Sequence, residues 1–507
     1  MMRLISAPLF CLFASVAFAQ PGTLDATFDG DGIVQIDLMP NGDSGSDGLP
    51  TNDGRLYVCG YLDNGPQDFG FLTRFLNDGT PDPTFGTVSL PSGSNGRAFR
   101  LAFAPDSSVY VCGYADTLGY ETFTVWRVLA TGAMDASFGL NGRSSVQIGF
   151  ADARARALAV QPDGKVVLAG YESAGFGRDG VLVRFRTDGV VDSTFSLDGQ
   201  VTLSAFSTLD QLDALALMDD GSLIAGGYAS VNSYDQAILV KVNTSGQLVT
   251  SFGTTGIASP AIPLNNSRVY GVAVNGTEIY AAGVQFDGST SSDLFITKRD
   301  ANGSAVIGFG TFGVADIDVQ DDDWMDDMER LPDGRIVFTG YTGSTAPGGD
   351  IDFLLGCYLP NGQPDLGFGT GGHVITETSP SYEGGFGVCM QPDGKLVVVG
   401  FGGVLLNSAL VVLRYANDLA TAMPAAIAAA PFTCWPNPAN DRVWITTTNS
   451  GTLRVEVLDA AGRVVLDPVL SGQQTRSFDI HGLADGHYLL RCAQGDFMQV
   501  LPLEVAH

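Results

Sequence analysis

Short runs of alternating apolar and polar residues recur along most of the chain, and each run is bounded by Gly, Asp, Asn or Pro. One stretch shows four of them, at residues 143–148, 156–160, 165–171 and 181–186. The runs are too short for helices, and a period of two residues is typical of β-strands. The pattern therefore predicts units of four short antiparallel strands. Such a unit cannot bury both of its faces alone, so the units must stack.

Two sequence elements recur seven times and set the length of the unit. The first is a turn of the form Asp-x-Thr-Phe-Gly, and its Phe recurs at spacings of 57, 53, 57, 57, 57 and 59 residues, as Phe28, Phe85, Phe138, Phe195, Phe252, Phe309 and Phe368. The second is a Pro-Asp-Gly-type turn before an apolar strand that ends in Gly, at Gly60, Gly113, Gly170, Gly227, Gly283, Gly340 and Gly400. Seven four-stranded sheets arranged radially bury their faces on one another and leave short edges. We therefore predict an all-β, seven-bladed β-propeller, with a linear β-solenoid as the alternative.

Two charged positions vary together between the units. In three units an Arg stands eleven residues before the Phe and an Asp stands three residues before it. In two other units these positions hold Lys and Val instead. The Arg–Asp combinations are Arg74 with Asp82, Arg127 with Asp135, and Arg184 with Asp192. The last unit has Arg414 with no turn after it, and the first turn has Asp25 with no basic residue before it. Because Arg can grip a carboxylate with two donors, we predict that Asp25 pairs with Arg414 and that the N-terminal segment closes the ring.

The ends of the chain carry different signals. Residues 1–19 combine a short positive start, an apolar stretch and Ala17-Phe18-Ala19, which predicts a cleaved signal peptide, and no later run approaches 18 apolar residues. We assign residues 20–418 to the propeller and the Ala- and Pro-rich residues 419–431 to a linker. Residues 432–507 show a second series of strand-like runs and are predicted to form a small β-sandwich.

Composition narrows the function. The chain has 507 residues, with 26 Lys and Arg against 55 Asp and Glu, so its net charge is −29 and argues against binding nucleic acid. The 65 glycines suit many tight turns and exclude an all-helical protein. Cys59 and Cys112 occupy the same repeat position and are read as core residues, whereas the pairing of Cys434 with Cys492 stays open.

Motifs in both regions resemble known families. The turn Leu24-Asp25-Ala26-Thr27-Phe28 and the string Gln161-Pro162-Asp163-Gly164-Lys165-Val166-Val167 resemble the delta-60 repeat family, which implies no established catalytic residues. Three strings in the last region resemble a type A sorting domain of the type IX secretion system: Trp435-Pro436-Asn437-Pro438-Ala439-Asn440, the string 457–463, and the string 483–489. That resemblance implies export across an outer membrane, with the secretion machinery as a partner of residues 432–507, and a secreted or surface location.

Candidate chemistry is sparse. We expect no catalytic residues and no cofactor other than calcium, for which the candidate site is an acidic run expected in a loop, made of Asp321, Asp322, Asp323, Asp326 and Asp327. An aromatic residue follows the strand-ending Gly in six of the seven units: Tyr61, Tyr114, Tyr171, Tyr228, Tyr341 and Phe401. These rings could stack on sugars, although equivalent residues in every blade more often pack between blades.

Three functions remain open. The favoured one is a secreted or cell-surface, monomeric, non-catalytic propeller that binds a glycan or a protein. The first alternative is a polysaccharide hydrolase or lyase that uses paired carboxylates in the central pocket, and the second is a structural component of the envelope or matrix. An acidic or Tyr side chain that departs from the repeat and projects into the pocket would distinguish the enzyme from the other two.

Overall fold

The computed structural model forms two compact units, residues 1–420 and 421–507. It describes residues 20–117, 119–149, 151–174, 177–203, 210–231, 234–260, 262, 266–286, 291–344, 349–380, 382–404, 407–417, 432–435, 439–447, 453–458, 463–471, 475–494 and 497–506. The predicted signal peptide, 1–19, and the predicted linker, 419–431, lie outside these residues. Among the residues described, no helix is long and apolar enough to span a membrane.

The first unit consists of seven antiparallel four-stranded sheets, which are the blades of a β-propeller. Blade one contains β2 Asp43–Pro50, β3 Leu56–Asp63, β4 Asp68–Phe75 and β5 Thr87–Ser89. Blade two contains β6 Gly96–Phe103, β7 Val109–Thr117, β8 Tyr120–Val128 and β9 Arg143–Val146. Blade three contains β10 Ala153–Val160, β11 Val166–Ala174, β12 Gly177–Phe185 and β13 Gln200–Leu203. Blades four and five contain β14 Asp210–Leu217, β15 Leu223–Val231, β16 Tyr234–Val242 and β17 Ile257–Ala258; and β18 Asn266–Asn275, β19 Glu278–Phe286, β20 Ser292–Arg299 and β21 Val314–Ile317. Blade six contains β22 Asp322–Arg330, β23 Ile336–Gly343, β24 Ile351–Tyr358 and β25 His373–Thr376. The strand at residues 143–148 in the sequence pattern is thus the outer strand of blade two, whereas the three runs that follow it belong to blade three.

Blade seven joins the two ends of the propeller chain. Its inner strands are β26 Gly384–Met390, β27 Leu396–Val404 and β28 Asn407–Tyr415, and its outer strand is β1 Ile33–Ile36. β1 pairs antiparallel with β28, with Ile33 opposite Leu413. Beside this pair, Arg414 Nε donates a hydrogen bond of 2.8 Å to Asp25 Oδ2. The ring is therefore closed by backbone pairing and by a charged pair between residues 389 positions apart.

The hydrophobic core lies between neighbouring blades. One cluster joins apolar side chains of blades three and four, among them Val167, Leu182, Leu212 and Val240. Another joins blades one and seven and includes Phe28. Because each sheet has both faces covered by other sheets, the strands contain continuous apolar runs as well as alternating ones.

Several blades are linked to the next one by the Arg of an Arg–Asp combination. Arg184 Nε donates to Asp192 Oδ2 at 2.9 Å, and its Nη1 donates to the Thr244 carbonyl oxygen of the following blade at 2.7 Å. The same arrangement joins Arg74 to Asp82. Arg127 lies 3.3 Å from Asp135, but its Nε donates to Ser108 Oγ. Where blade six has Cys357 in place of Arg, the Arg335 guanidinium lies 2.9 Å from the equivalent carboxylate, Asp365.

The second unit contains two small sheets. One has the strand order β29 Phe432–Trp435, β30 Arg442–Thr447 and β34 Thr475–Asp479. The other has the order β32 Val464–Leu466, β31 Leu453–Leu458, β35 Gly486–Gln494 and β36 Phe497–Val505, with β33 Val469–Leu470 also pairing with β31. Val443, Val455, Leu490 and Cys492 belong to the core that both sheets share.

Candidate functional site

The innermost strand of every blade contains a β-bulge at the same place. In β6, for example, the pairing with β7 shifts between Ala98 and Arg100, so Phe99 has no partner across the ladder. The seven residues at the bulges are Ser46, Phe99, Arg156, Asp213, Tyr270, Asp326 and Phe386. A bulge redirects a side chain that would otherwise alternate with its neighbours.

The strand-ending glycine of each repeat lies opposite the bulge. A Cβ added at Gly113 would overlap the carbonyl oxygen of Arg97, and one at Gly60 would overlap that of Ser44. The equivalent overlap occurs at Gly170, Gly227, Gly283, Gly340 and Gly400. The bulge brings a backbone carbonyl so close to the neighbouring strand that a side chain does not fit there.

All seven bulge residues line one cavity of about 250 Å³ on the propeller axis, together with Tyr61, Arg97 and Arg100. This set, which we call the bulge ring, contains one Ser, two Phe, one Arg, two Asp and one Tyr. The strand-ending glycine repeats in all seven blades, whereas these residues and the ones directly after them differ. The repeat therefore breaks at the place where the blades converge.

Arg100 crosses the axis beneath the bulge ring. It extends from blade two, and its guanidinium donates to the carbonyl oxygens of Ser46 and Phe386 at 3.1 Å and of Asp326 at 2.8 Å. These acceptors belong to blades one, seven and six. The Asp327 carboxylate lies 3.7 Å from the same guanidinium. Arg100 is thus held by backbone oxygens of three other blades.

A second cavity, of about 190 Å³, is lined by residues one or two positions further along the same strands. Asp47 and Asp327 line it, and it shares Arg100, Asp213 and Tyr270 with the first cavity. Asp47 Oδ2 accepts a hydrogen bond from the Leu101 amide at 3.0 Å, and Asp327 Oδ2 accepts one from the Val388 amide at 3.0 Å. The two cavities follow one another along the axis.

Burial changes the protonation of the axial carboxyl groups. Burial raises the pKa of Asp47 to about 7, opposed by the charge of Arg100 and assisted by that of Asp327. Burial likewise raises the pKa of Asp326 to about 7, with Arg100 and Arg156 acting in the opposite direction. Removing a carboxylate from water disfavours its charged form unless opposite charges compensate fully. Here one guanidinium faces several carboxyl groups, so the compensation is partial.

Two buried carboxylate oxygens of residues that line the cavity have no donor among the described residues. Asp213 is 4% exposed; its Oδ1 accepts hydrogen bonds from Arg156 Nε at 3.2 Å and from Gln211 Nε2 at 2.6 Å. Its Oδ2 has no hydrogen-bond partner in the described part of the chain, and neither has Asp326 Oδ2. A buried acceptor without a donor is costly, so a ligand that donates to these oxygens would be stabilised.

Aromatic rings form another part of the wall. Phe386 stacks on Phe401 with ring centroids 5.3 Å apart, and the Arg156 guanidinium lies 4.4 Å from the centre of the Phe99 ring. Phe99 and Phe386 are both only partly buried. Aromatic faces combined with a few fixed polar groups are typical of pockets for small polar ligands.

The six aromatic residues expected as a ring pack against side chains of their own blade or of a neighbouring blade. Arg or another aromatic side chain covers each of them: Arg97 on Tyr61, Arg154 on Tyr114, Arg178 on Tyr171, Arg268 on Tyr228, Trp324 on Tyr341, and Phe386 on Phe401. Of the six, Tyr61 lines the 250 Å³ cavity as far as the described residues show. Their contacts favour packing over ligand binding.

The acidic run expected as a calcium loop is instead mostly strand β22. Asp323 points away from Asp326 and accepts hydrogen bonds from Thr342 Oγ1 and the Val319 amide, whereas Asp326 and Asp327 face the axis. Within the described ranges, no group of three or more Asp, Glu, His or Cys residues could hold a metal ion. The expectation of a loop was wrong, because the alternation of the strand separates Asp321, Asp322, Asp323, Asp326 and Asp327.

Sequence reasoning did not identify the bulge ring. A signal exists, since the bulge residue stands 14 positions before the strand-ending Gly in six blades, as Phe99 before Gly113, and 13 positions before it in blade five. The signal is a spacing rather than a residue type. A search for identical residues at equivalent repeat positions does not detect this spacing.

Two family models match the chain. Residues 51–85, 161–195, 219–252 and 331–368 match the domain of unknown function (DUF5122) beta-propeller, and residues 433–500 match the secretion system C-terminal sorting domain. The protein is thus an exported seven-bladed β-propeller with a pocket on its axis. Four stretches of its propeller match DUF5122 propeller repeats, and its sorting domain directs it through the type IX secretion system to the cell surface or the extracellular space.

Solved structures show distant similarity. A protein of unknown function from Dyadobacter fermentans DSM 18053 is 10% identical with a TM-score of 0.40, covering 76% of this chain and 99% of its own. The polysaccharide lyase Uly1 is 12% identical with a TM-score of 0.42 over 75% and 91%, and Chaetomium thermophilum Sqt1 is 13% identical with a TM-score of 0.41 over 78% and 100%. Similarity at this level says nothing about the ligand of this chain. Among curated proteins, none matches it in sequence.

Proposed function

We propose that this exported propeller is a non-catalytic binding protein that holds one terminal unit of a glycan in the cavity of the bulge ring. The observation that carries the proposal is the convergence of seven side chains of five chemical kinds on one cavity. A position needed only for packing would repeat from blade to blade, as the aromatic residues after the glycines do. Recognition of one asymmetric ligand requires such differences between the blades at the axis.

The size and walls of the cavity favour a sugar. About 250 Å³ is near the lower end of ligand pockets and suits one monosaccharide unit rather than an extended chain. Arg156 covers one face of Phe99 and Phe401 covers one face of Phe386, and the opposite faces can pack against the apolar face of a sugar ring. The oxygens of Asp213 and Asp326 can accept from its hydroxyl groups. Arg100 lies at the inner end of the cavity, so a glycan would enter by its terminus.

The charged groups favour binding over chemistry. The Arg100 guanidinium is held by three carbonyl oxygens of other blades, and Arg156 is paired with Asp213. These contacts fix the two side chains as walls of the cavity. A fixed wall orients a ligand with little loss of side-chain freedom on binding.

The test is a glycan array probed with the exported protein, followed by titration of each hit. Replacing Phe99 by alanine removes one aromatic face and should weaken binding about tenfold. The matched control is Phe312→Ala, which removes an exposed aromatic side chain from a turn. An array without hits, or a Phe99→Ala variant that binds as tightly as the native protein, would contradict the proposal.

A glycoside hydrolase is the second candidate, and one observation favours it. Asp213, Tyr270 and Asp326 depart from the repeat and reach the cavity, and a pKa of about 7 for Asp326 suits a group that donates a proton near neutral pH. Incubating the array hits with the protein and assaying reducing ends separates the two functions. Cleavage that disappears in Asp326→Asn would replace the binding proposal with the enzyme.

A further inference from the structure

Carboxylates outnumber guanidinium groups along the propeller axis. Asp213 and Asp326 line the first cavity, and Asp47 and Asp327 line the second. The cations beside them are Arg100, which lines both cavities, and Arg156, which lines the first. The third guanidinium of the wall, Arg97, lies 2.6 Å from Asp68 and is already neutralised. Four carboxyl groups therefore face two cations, and burial raises the pKa of Asp47 and Asp326 to about 7, so only part of this excess is negative charge at neutral pH.

The guanidinium groups are also poorly placed for an anion. Arg100 directs its Nη1 and Nη2 donors at backbone carbonyl oxygens, and Arg156 directs Nε at Asp213. An anionic ligand would meet an Arg100 whose Nη donors are occupied, an Arg156 whose Nε is directed at Asp213, and more carboxyl groups than cations. A ligand that brings donors and positive charge meets the opposite situation.

Asp213 supplies an independent sign of such a ligand. It is 96% buried, it lines both cavities, and its Oδ2 has no hydrogen-bond partner among the described residues. Asp326 Oδ2, on a different blade, is also buried and has no hydrogen-bond partner among the described residues. Two separate acceptors on blades four and six require a ligand with donors in more than one direction.

On these grounds we infer that the terminal unit is an amino sugar with a free ammonium group, whose ammonium and neighbouring hydroxyl groups donate to Asp213 and Asp326. The inference rests on the proposed function and adds the charge of the ligand. A lysine side chain also carries an ammonium group, but it offers donors at one point only. An amino sugar offers an ammonium and hydroxyl donors around a ring that can pack against Phe99 and Phe386.

The test compares four probes by calorimetric titration of the exported protein at one pH. The probes are a tetramer of glucosamine, the corresponding N-acetylated tetramer, a tetramer of glucose, and a short lysine peptide. We expect the glucosamine tetramer to bind at least about tenfold more tightly than the other three, because hydrogen bonds to a charged group are stronger than neutral ones.

The outcomes separate the inference from the function beneath it. If the N-acetylated or glucose tetramer binds as tightly as the glucosamine tetramer, the charge inference is wrong and glycan binding stands. If the lysine peptide binds most tightly, the ligand is a protein amine and the inference is wrong. If no glycan on the array or in solution binds, the proposed function fails as well.

Two variants locate the ammonium. Asp213→Asn keeps the size of the side chain and removes its charge, and should weaken binding of the glucosamine tetramer about tenfold or more and binding of neutral sugars by a smaller factor. Asp326→Asn tests the second acceptor and serves if Asp213→Asn does not fold. Asp321→Asn is the matched control, since Asp321 is exposed and lies outside the cavity. Native affinity in both cavity variants would overturn the inference.

Discussion

Replacing Asp25 by alanine tests how the two ends of the propeller chain are joined. Asp25 Oδ2 lies 2.8 Å from Arg414 Nε and 2.9 Å from Lys395 Nζ. Arg414 is 1% exposed, and its guanidinium also lies 4.4 Å from the centre of the Phe28 ring. The variant would therefore leave a buried guanidinium without its carboxylate.

The expected loss follows from this burial. Removing one partner of a buried ion pair costs about 3–5 kcal/mol, because the remaining charge stays desolvated. The entropy of unfolding is about 2.1 cal/mol/K per residue, so a propeller of roughly 400 residues has about 0.8 kcal/mol/K. The melting temperature should then fall by about 4–6 °C.

The assay is thermal unfolding followed by calorimetry, with Asp192→Ala as the matched control. Asp192 contacts Arg184 at 2.9 Å and Lys165 at 3.5 Å, so it has the same partners, but its Arg is eight residues away in sequence. We expect the two variants to lose similar stability. If Asp192→Ala lowered the melting temperature and Asp25→Ala left it unchanged, the pair would not hold the ring closed and the reasoning would be refuted.

The pH dependence gives a second readout of the same pair. Burial by itself raises the pKa of Asp25, but hydrogen bonds from Lys395 and Thr27 and the charge of Arg414 outweigh it and lower the pKa to about 2. A carboxyl whose pKa is lower in the folded state contributes stability above its unfolded pKa, near 4, and loses it as the pH falls towards 2. The difference in melting temperature between the native protein and Asp25→Ala should therefore shrink below pH 4.

Two further predictions concern the blades. Gly113→Ala should destabilise the propeller by several kcal/mol, because the added Cβ would overlap the Arg97 carbonyl oxygen. The control is Gly308→Ala, which should change little because no atom lies within 4 Å of the added Cβ. Equal melting temperatures of the two variants would contradict the account of the bulge. Burial raises the pKa of Glu329 to about 8, so the folded state keeps a proton that the unfolded state releases near pH 4.5, and stability from this group falls as the pH rises from about 4.5 to 8. Glu329→Gln should reduce the drop in melting temperature between pH 5 and pH 9, and an unchanged drop would show that another group is responsible.

Local patterns were sufficient to predict the architecture. The turn at each Phe and the glycine at each strand end lie within a few residues of the contacts they make, so they recur visibly with the repeat. The absence of an Arg before Asp25 and of a turn after Arg414 predicted which ends meet, and the structure places the two side chains in contact. The acidic run was misassigned because its charges obscured the alternation of a strand, in which Met325 and Met328 are buried.

The candidate site, by contrast, is made of residues that share a position in their blades but not a residue type. Phe99, Arg156 and Asp213 are 57 residues apart in sequence and become neighbours when seven innermost strands converge on an axis. The glycine opposite each bulge was visible in the sequence, but its reason, a carbonyl oxygen pressed against the next strand, was not.

The sequence by itself thus determined the number of blades, the strands within them, the closing segment and the route of export, because each depends on short-range patterns or on a motif that acts as a signal. The tertiary structure decided which side chains share the axial cavity, which carboxylates lie without donors, and where Arg100 ends. These depend on distances between strands far apart in the chain, and such distances are set when the ring closes.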